Sequence, residues 1–139
     1  MSLLTNIFTS NPDNYNTYSG TNDSNEFHHL EANGITSLEL ATLLSILDKS
    51  DSNDNIKYFE LLNESETDQW ITSIPSHMVE LLNKLDKKEL SSTAQQFKSA
   101  TEEELGWQLS DFEEIIKNLK ELSSICLEKN MKMYHWMSV

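Results

Sequence analysis

A chain of 139 residues suits one domain large enough to bury a core of its own. Its mean hydropathy of -0.51 is that of a soluble protein, and no apolar run approaches the roughly 18 residues of a membrane-spanning helix. The formal net charge is -13, all ten basic residues are lysine, and none falls in the first 48 positions. That balance disfavours direct binding of nucleic acid, anionic lipid or phosphorylated ligands.

A basic partner would instead be attracted and steered by such a charge. Plain solubility, with a coding bias toward Lys and Asn, explains the same composition as well. The start, MSLLTNIFTSNPDNY, has no basic region ahead of an apolar one, so a cytoplasmic location is expected. Cys126 is the one cysteine and cannot form an internal disulfide, which fits a reducing compartment.

Residues 1–8 carry Leu3, Leu4, Ile7 and Phe8 and suit a short helix or strand. Residues 9–25 are rich in Asn, Ser, Thr and Asp and read as a polar loop or flexible arm, with Tyr15 and Tyr18 available to pin it to the body. GITSLELATLLSILDKS predicts a helix. Thr36 and Glu39 are spaced as a capping box, Ile35 can staple against Leu40, and Leu40, Leu43, Leu44 and Leu47 form one stripe. IKYFELLNE suggests a helical turn or two, and TDQWITSIP stops at Pro75.

Pro75 suits the first turn of the next helix, with a stripe of Met78, Leu81, Leu82 and Leu85. Asp86 and Glu89 can cap another, burying Leu90, Ala94 and Phe97. Thr101 and Glu104 repeat the capping spacing, Gly106 can end that turn, and Ser110 with Glu113 can open the last helix. Phe112, Ile115, Ile116, Leu119, Leu122 and Cys126 keep one face over several turns, and Asn130 suits a left-handed cap. Met131, Met133, His135, Met137 and Val139 then alternate with Lys132, Tyr134, Trp136 and Ser138, the period of a strand. Its expected partners are residues 2–8 or the segment near Phe27 to Leu30.

The expected fold is thus mainly α, a single-domain bundle of about five to six helices over residues 1–139 with a short C-terminal β-strand, and α+β as the alternative. IPSHMVELLNKLDKKELSSTAQQFKSATEEELGW, the long amphipathic helix after it and the closing MKMYHWMSV together resemble small uncharacterised bacterial proteins. LLNKLDKKEL and the strand-like end are also similar to the YfbM-like family of unknown function. The resemblance implies a bacterial cytoplasmic domain and assigns no activity to any residue.

Few residues suggest chemistry. His28 and His29, with Glu26 and Glu31 nearby, are the candidate metal ligands, but no further His or Cys follows at ligand spacing, and a polar pair at a loop edge is the simpler reading. Cys126 and His135 suggest a nucleophile and base, yet Cys126 lies on an apolar stripe where a free thiol behaves as a small hydrophobe. Glu102, Glu103 and Glu104 are the densest acidic run and would complement the dipole of a helix that starts there. With Asp111, Glu113 and Glu114 they also suit a patch for a basic protein. Trp70 reads as core, while Trp107 and Trp136 divide between core and interface.

The reading favoured by these residues is a non-catalytic binding domain without cofactor or metal. An immunity or inhibitor protein that neutralises a basic partner, such as a bacterial toxin, is the concrete form. The expected partner-binding residues are Glu102, Glu103, Glu104, Trp107, Asp111, Glu113, Glu114, Tyr134 and Trp136. The alternatives are an adaptor that dimerises through its closing strand, and an enzyme using an unrecognised Glu or His site.

Overall fold

The computed structural model describes residues 4–13, 15, 18, 28–49, 53–64 and 69–138. These form strand β1 (Leu4–Ser10), β2 (His29–Glu31), helix α1 (Ser37–Leu47), a 3-10 segment (Asn53–Tyr58), β3 (Leu61–Glu64), β4 (Gln69–Ser73), α2 (Ser76–Asn83), α3 (Lys87–Leu105), α4 (Leu109–Lys129) and β5 (Lys132–Ser138). The expectation of a mainly α bundle is overturned. Among the described residues, four α-helices pack on a five-stranded antiparallel sheet of order β2-β1-β5-β4-β3, an α+β fold.

The reason lies in β1. Six of its seven residues are buried, because the helices cover one face of the sheet and tyrosines of the arm cover the other. A strand buried on both faces loses the alternation that marks a half-exposed one. The helical turn or two expected in IKYFELLNE is a six-residue 3-10 segment that ends at Tyr58, and the end of that stretch, Leu61–Glu64, is β3, which pairs with β4. β5 is also buried on both faces. It lies between β1 and β4, pairing Ile7 with His135 on one side and Thr72 with His135 on the other. Of the expected partner segment 2–8, residues 4–8 belong to β1 and supply part of the pairing of β5, while residues 2 and 3 lie outside the described residues; the segment near Leu30 pairs with β1 instead. With both of its edges used, β5 offers no free edge for dimerisation.

Ile7, Leu30 and Met133 project into the helix layer, where Leu40, Leu44, Leu82, Phe97, Phe112 and Ile116 fill the main core. Phe8, Tyr134, Trp136 and Ile71 form a second, smaller cluster on the opposite face. It is closed by the arm. Tyr18 stacks on Phe8 with centroids 4.0 Å apart, and Tyr15 stacks on Tyr134 at 5.0 Å. Of the loop expected over residues 9–25, Thr9 and Ser10 belong to β1, and residues 14, 16, 17 and 19–25 lie outside the described residues.

The caps explain where the helices begin and end. Thr36 and Asp86 cap α1 and α3 in full capping boxes with Glu39 and Glu89, each box worth about 1 kcal/mol. Pro75 is the residue just before α2, with φ -63, rather than a member of its first turn. No helix begins at Thr101. Its hydroxyl donates to the Phe97 carbonyl at 2.7 Å inside α3, which runs on to Gly106 in the left-handed region at φ 62. α4 opens two residues earlier than expected: the Gln108 N–H donates to the Asp111 carboxylate at 3.1 Å. Asn130, at φ 55 and ψ 45, ends α4 in the left-handed conformation and turns the chain into β5. Among the described residues, no helix is long and apolar enough to cross a membrane.

Candidate functional site

The shift in the α3 boundary changes the meaning of the acidic run. Glu102, Glu103 and Glu104 lie in the last turn of α3, not in the first turn of a new helix. The dipole there has its negative end, so these acids add to it instead of offsetting it. Glu102 is exposed and pairs with Lys98 at 3.3 Å, a surface i,i+4 pair of small stability value. This end of α3 abuts the turn after β2: the Leu105 side chain lies 3.5 Å from where a Cβ on Gly34 would stand, and Gly34 itself has φ 97. Immediately past Gly106, the half-buried Trp107 leans on Phe112 with ring centroids 5.3 Å apart.

Beside the buried face of α4 runs a second stripe, Asp111, Glu114, Asn118, Glu121 and Ile125. The spacing of three and four residues keeps it on one line along the helix. β2 lies next to that line. Two cavities, of about 520 and 370 Å³, occupy the space between them and share Glu31 and Asn118, so they form one groove. The first reaches from His28 and His29 to Glu121 and Ile125; the second reaches from Asn33 to Trp107, Asp111 and Glu114. The fourteen residue steps from Asp111 to Ile125 span about 21 Å at helical rise. Glu31, Asp111, Glu114 and Glu121 give the groove its charge, and none of its described lining residues is a lysine.

One wall of this groove is an open sheet edge. β2 pairs with β1 and, among the described residues, with no other strand. The Thr9 N–H donates to the His28 carbonyl at 2.9 Å, and the Ala32 N–H donates to the Thr5 carbonyl at 2.8 Å. An antiparallel ladder with those two pairs directs Leu30 inward and turns the N–H and C=O of His29 and Glu31 outward.

The structure therefore gathers Trp107, Asp111 and Glu114 into one site, with Glu102–Glu104 on the helix end that abuts it. Glu113 is half-buried on α4 and does not line the groove. Tyr134 and Trp136 are elsewhere, 4% and 5% exposed beneath the tyrosines of the arm. Trp136 donates its indole N–H to Gln69 at 3.3 Å, and Trp70 is half-buried on β4. Glu121, Asn118 and the β2 edge were not anticipated. The signal for the first two was present, as a polar line at positions 111, 114, 118 and 121 flanking the apolar one.

The other candidate chemistry is differently placed. Glu26 lies outside the described residues, His28 is exposed, and the His29 ring meets the Tyr18 ring edge-on at 5.9 Å. Among the described residues, no three His, Cys, Asp or Glu side chains are grouped to hold a metal ion. Cys126 is 2% exposed in the main core, and burial pushes its thiol up to about 11, against the opposing pull of Lys132. It is a protonated thiol at neutral pH, not a nucleophile. His135 is also buried, in mid-sheet. Its Nε2 lies 2.8 Å from the Ile35 carbonyl and must donate to it, which leaves Nδ1 as a bare acceptor with no partner. Burial pushes this imidazole down to about 4, outweighing the hydrogen bond to Ile35. Neither Cys126 nor His135 lines the groove.

No family model, no curated protein and no solved structure matches this chain.

Proposed function

We propose that this chain is a non-catalytic binding domain that captures a basic protein, acting in the bacterial cytoplasm as an inhibitor or immunity protein for a partner such as a toxin. One observation carries the reading: the acid-lined groove between β2 and α4, with four carboxylates and no lysine among its described lining residues. Focused charge of one sign raises association rates with a cationic partner. Trp107 at the end of the groove offers the kind of aromatic anchor that slows dissociation. The surplus of acids over lysines in the whole chain extends the attraction beyond the groove.

The test compares the wild type with an E31K/E114K/E121K variant, since all three glutamates are exposed and none caps a helix. Each is used to capture proteins from its own cells at low and at high salt, and the bound proteins are identified by mass spectrometry. The expected result is a strongly basic protein retained by the wild type at low salt, and lost with the variant or at high salt. Recovery of acidic proteins alone, or equal capture by both forms, would defeat the reading.

A further inference from the structure

The geometry points to a specific occupant of the groove: an extended, lysine- or arginine-rich segment of the partner that joins β2 as a sixth strand. This rests on the binding function proposed above and adds the mode of recognition. The first support is the backbone. His29 and Glu31 turn their N–H and C=O groups away from β1, and no described strand meets them. Such an edge is a template for another extended chain, which gains affinity from main-chain hydrogen bonds.

The second support is which face the added side chains would reach. Leu30 projects into the helix layer, so alternate residues of a strand laid along β2 would point the same way. On that side stands the line of Asp111, Glu114 and Glu121 on α4. A groove of about 21 Å accommodates about six extended residues, three of which face the acids. Basic side chains at every second position therefore meet carboxylates, and one at the end of the segment can lie over Trp107.

The third support concerns self-pairing. Natural sheet edges are commonly protected by lysine, proline or bulges, and β2 has none of these. Its protection is its shortness, three residues, together with charge. A second copy of this chain brought to the same edge would set Glu31 and the α4 acids against their own duplicates, whereas a basic segment is drawn in.

The probe is the synthetic peptide KVKVKV, with a second version N-methylated at the positions that face β2. N-methylation removes backbone donors and keeps every charge. Amide spectra of the labelled protein and titration calorimetry are read at low and high salt. Expected are shifts and slowed hydrogen exchange at the His29 and Glu31 amides, and a loss of about tenfold or more in affinity on N-methylation. Equal affinity of the two peptides, with binding still lost at high salt and in E114Q/E121Q, overturns strand addition and leaves the basic-partner function standing. Absence of salt-sensitive binding by either peptide overturns both. Dimerisation through β2 in sedimentation, with the same amides shifted in the absence of peptide, makes a second copy the occupant and overturns the proposal.

Discussion

The ring of Tyr18 lies flat on that of Phe8, with centroids 4.0 Å apart and planes 8° from parallel, and the Asn6 side-chain amide donates to its hydroxyl at 2.8 Å. One residue of a polar arm thereby closes the second face of the sheet, with its edge turned to Trp136 at 6.0 Å. Tyr18→Ala should cost about 3 kcal/mol, as for other buried aromatics, and should expose Phe8 and Trp136 to solvent. Denaturant unfolding followed by tryptophan fluorescence measures both effects. Tyr18→Phe keeps the stack and leaves the buried Asn6 amide without this acceptor, so its cost should be nearer 1 kcal/mol. Equal losses in the two variants would mean that the stack contributes nothing beyond the hydrogen bond.

His135 should make the fold acid-sensitive well above the usual carboxylate range. In the folded chain its imidazole stays neutral down to about pH 4, while in the unfolded chain it takes up a proton below about 6.5. Between those values the unfolded state binds more protons, so stability is complete above pH 6.5 and falls as the pH drops toward 4. The full effect is roughly 3 kcal/mol. Urea midpoints measured from pH 7 to 4 should decline for the wild type, and His135→Gln should flatten that decline. A His135 resonance titrating near 6.5 in the folded protein would contradict this.

Glu103→Lys and Glu104→Lys should each raise stability by about 0.3–1 kcal/mol, because a cation replaces an anion in the last turn of α3. The same changes should weaken capture of a basic protein, the usual exchange of stability for function at a binding surface. Thermal unfolding and binding titrations on the same two variants check the pair of effects. Stability that falls on substitution would show that acids at this end of α3 are not unfavourable to the helix.

Cys126 should resist thiol reagents in the native protein. Its thiol is buried and held protonated up to about 11, so reaction with a disulfide reagent at pH 8 should be limited by unfolding. The rate should rise with urea in step with the loss of structure. Fast labelling in buffer would mean that α4 opens locally.

Much of the helix layer was legible in the sequence, because its signals are local. Thr36 with Glu39, Asp86 with Glu89, and the left-handed caps at Gly106 and Asn130 all depend on residues within one turn. β5 was legible because Asn130 stops α4 and the helical period ends there, although the strand itself is buried on both faces. β1 was legible only as a short helix or strand and as a candidate partner of β5; what hid its two-sided burial is that β5 lies more than a hundred residues away and that Tyr18 covers its second face. Thr101 misled for a related reason: a threonine three residues before a glutamate has the spacing of a cap, while its hydroxyl serves the interior of a helix already under way. Of the acids that line the site, Asp111 and Glu114 were visible as part of an acidic patch, while Glu31 and Glu121 were not joined to it. What joins Asp111 and Glu114 to Glu31 is the placement of β2 beside α4, and that follows from pairing with β1, not from spacing.

The position of β5 has a consequence for how the molecule comes into being. During synthesis β1 and β4 are both finished long before β5, and neither pairs with the other. The sheet is two separate pieces until its keystone emerges from the ribosome, and closing it joins Leu4 to Ser138 across nearly the whole described chain. Contacts so distant in sequence form slowly, and in the meantime both flanks of the missing strand are open to wrong partners. A nascent chain held before residue 131 should therefore be the form that engages chaperones, and release of the last strand should be the step that ends the engagement.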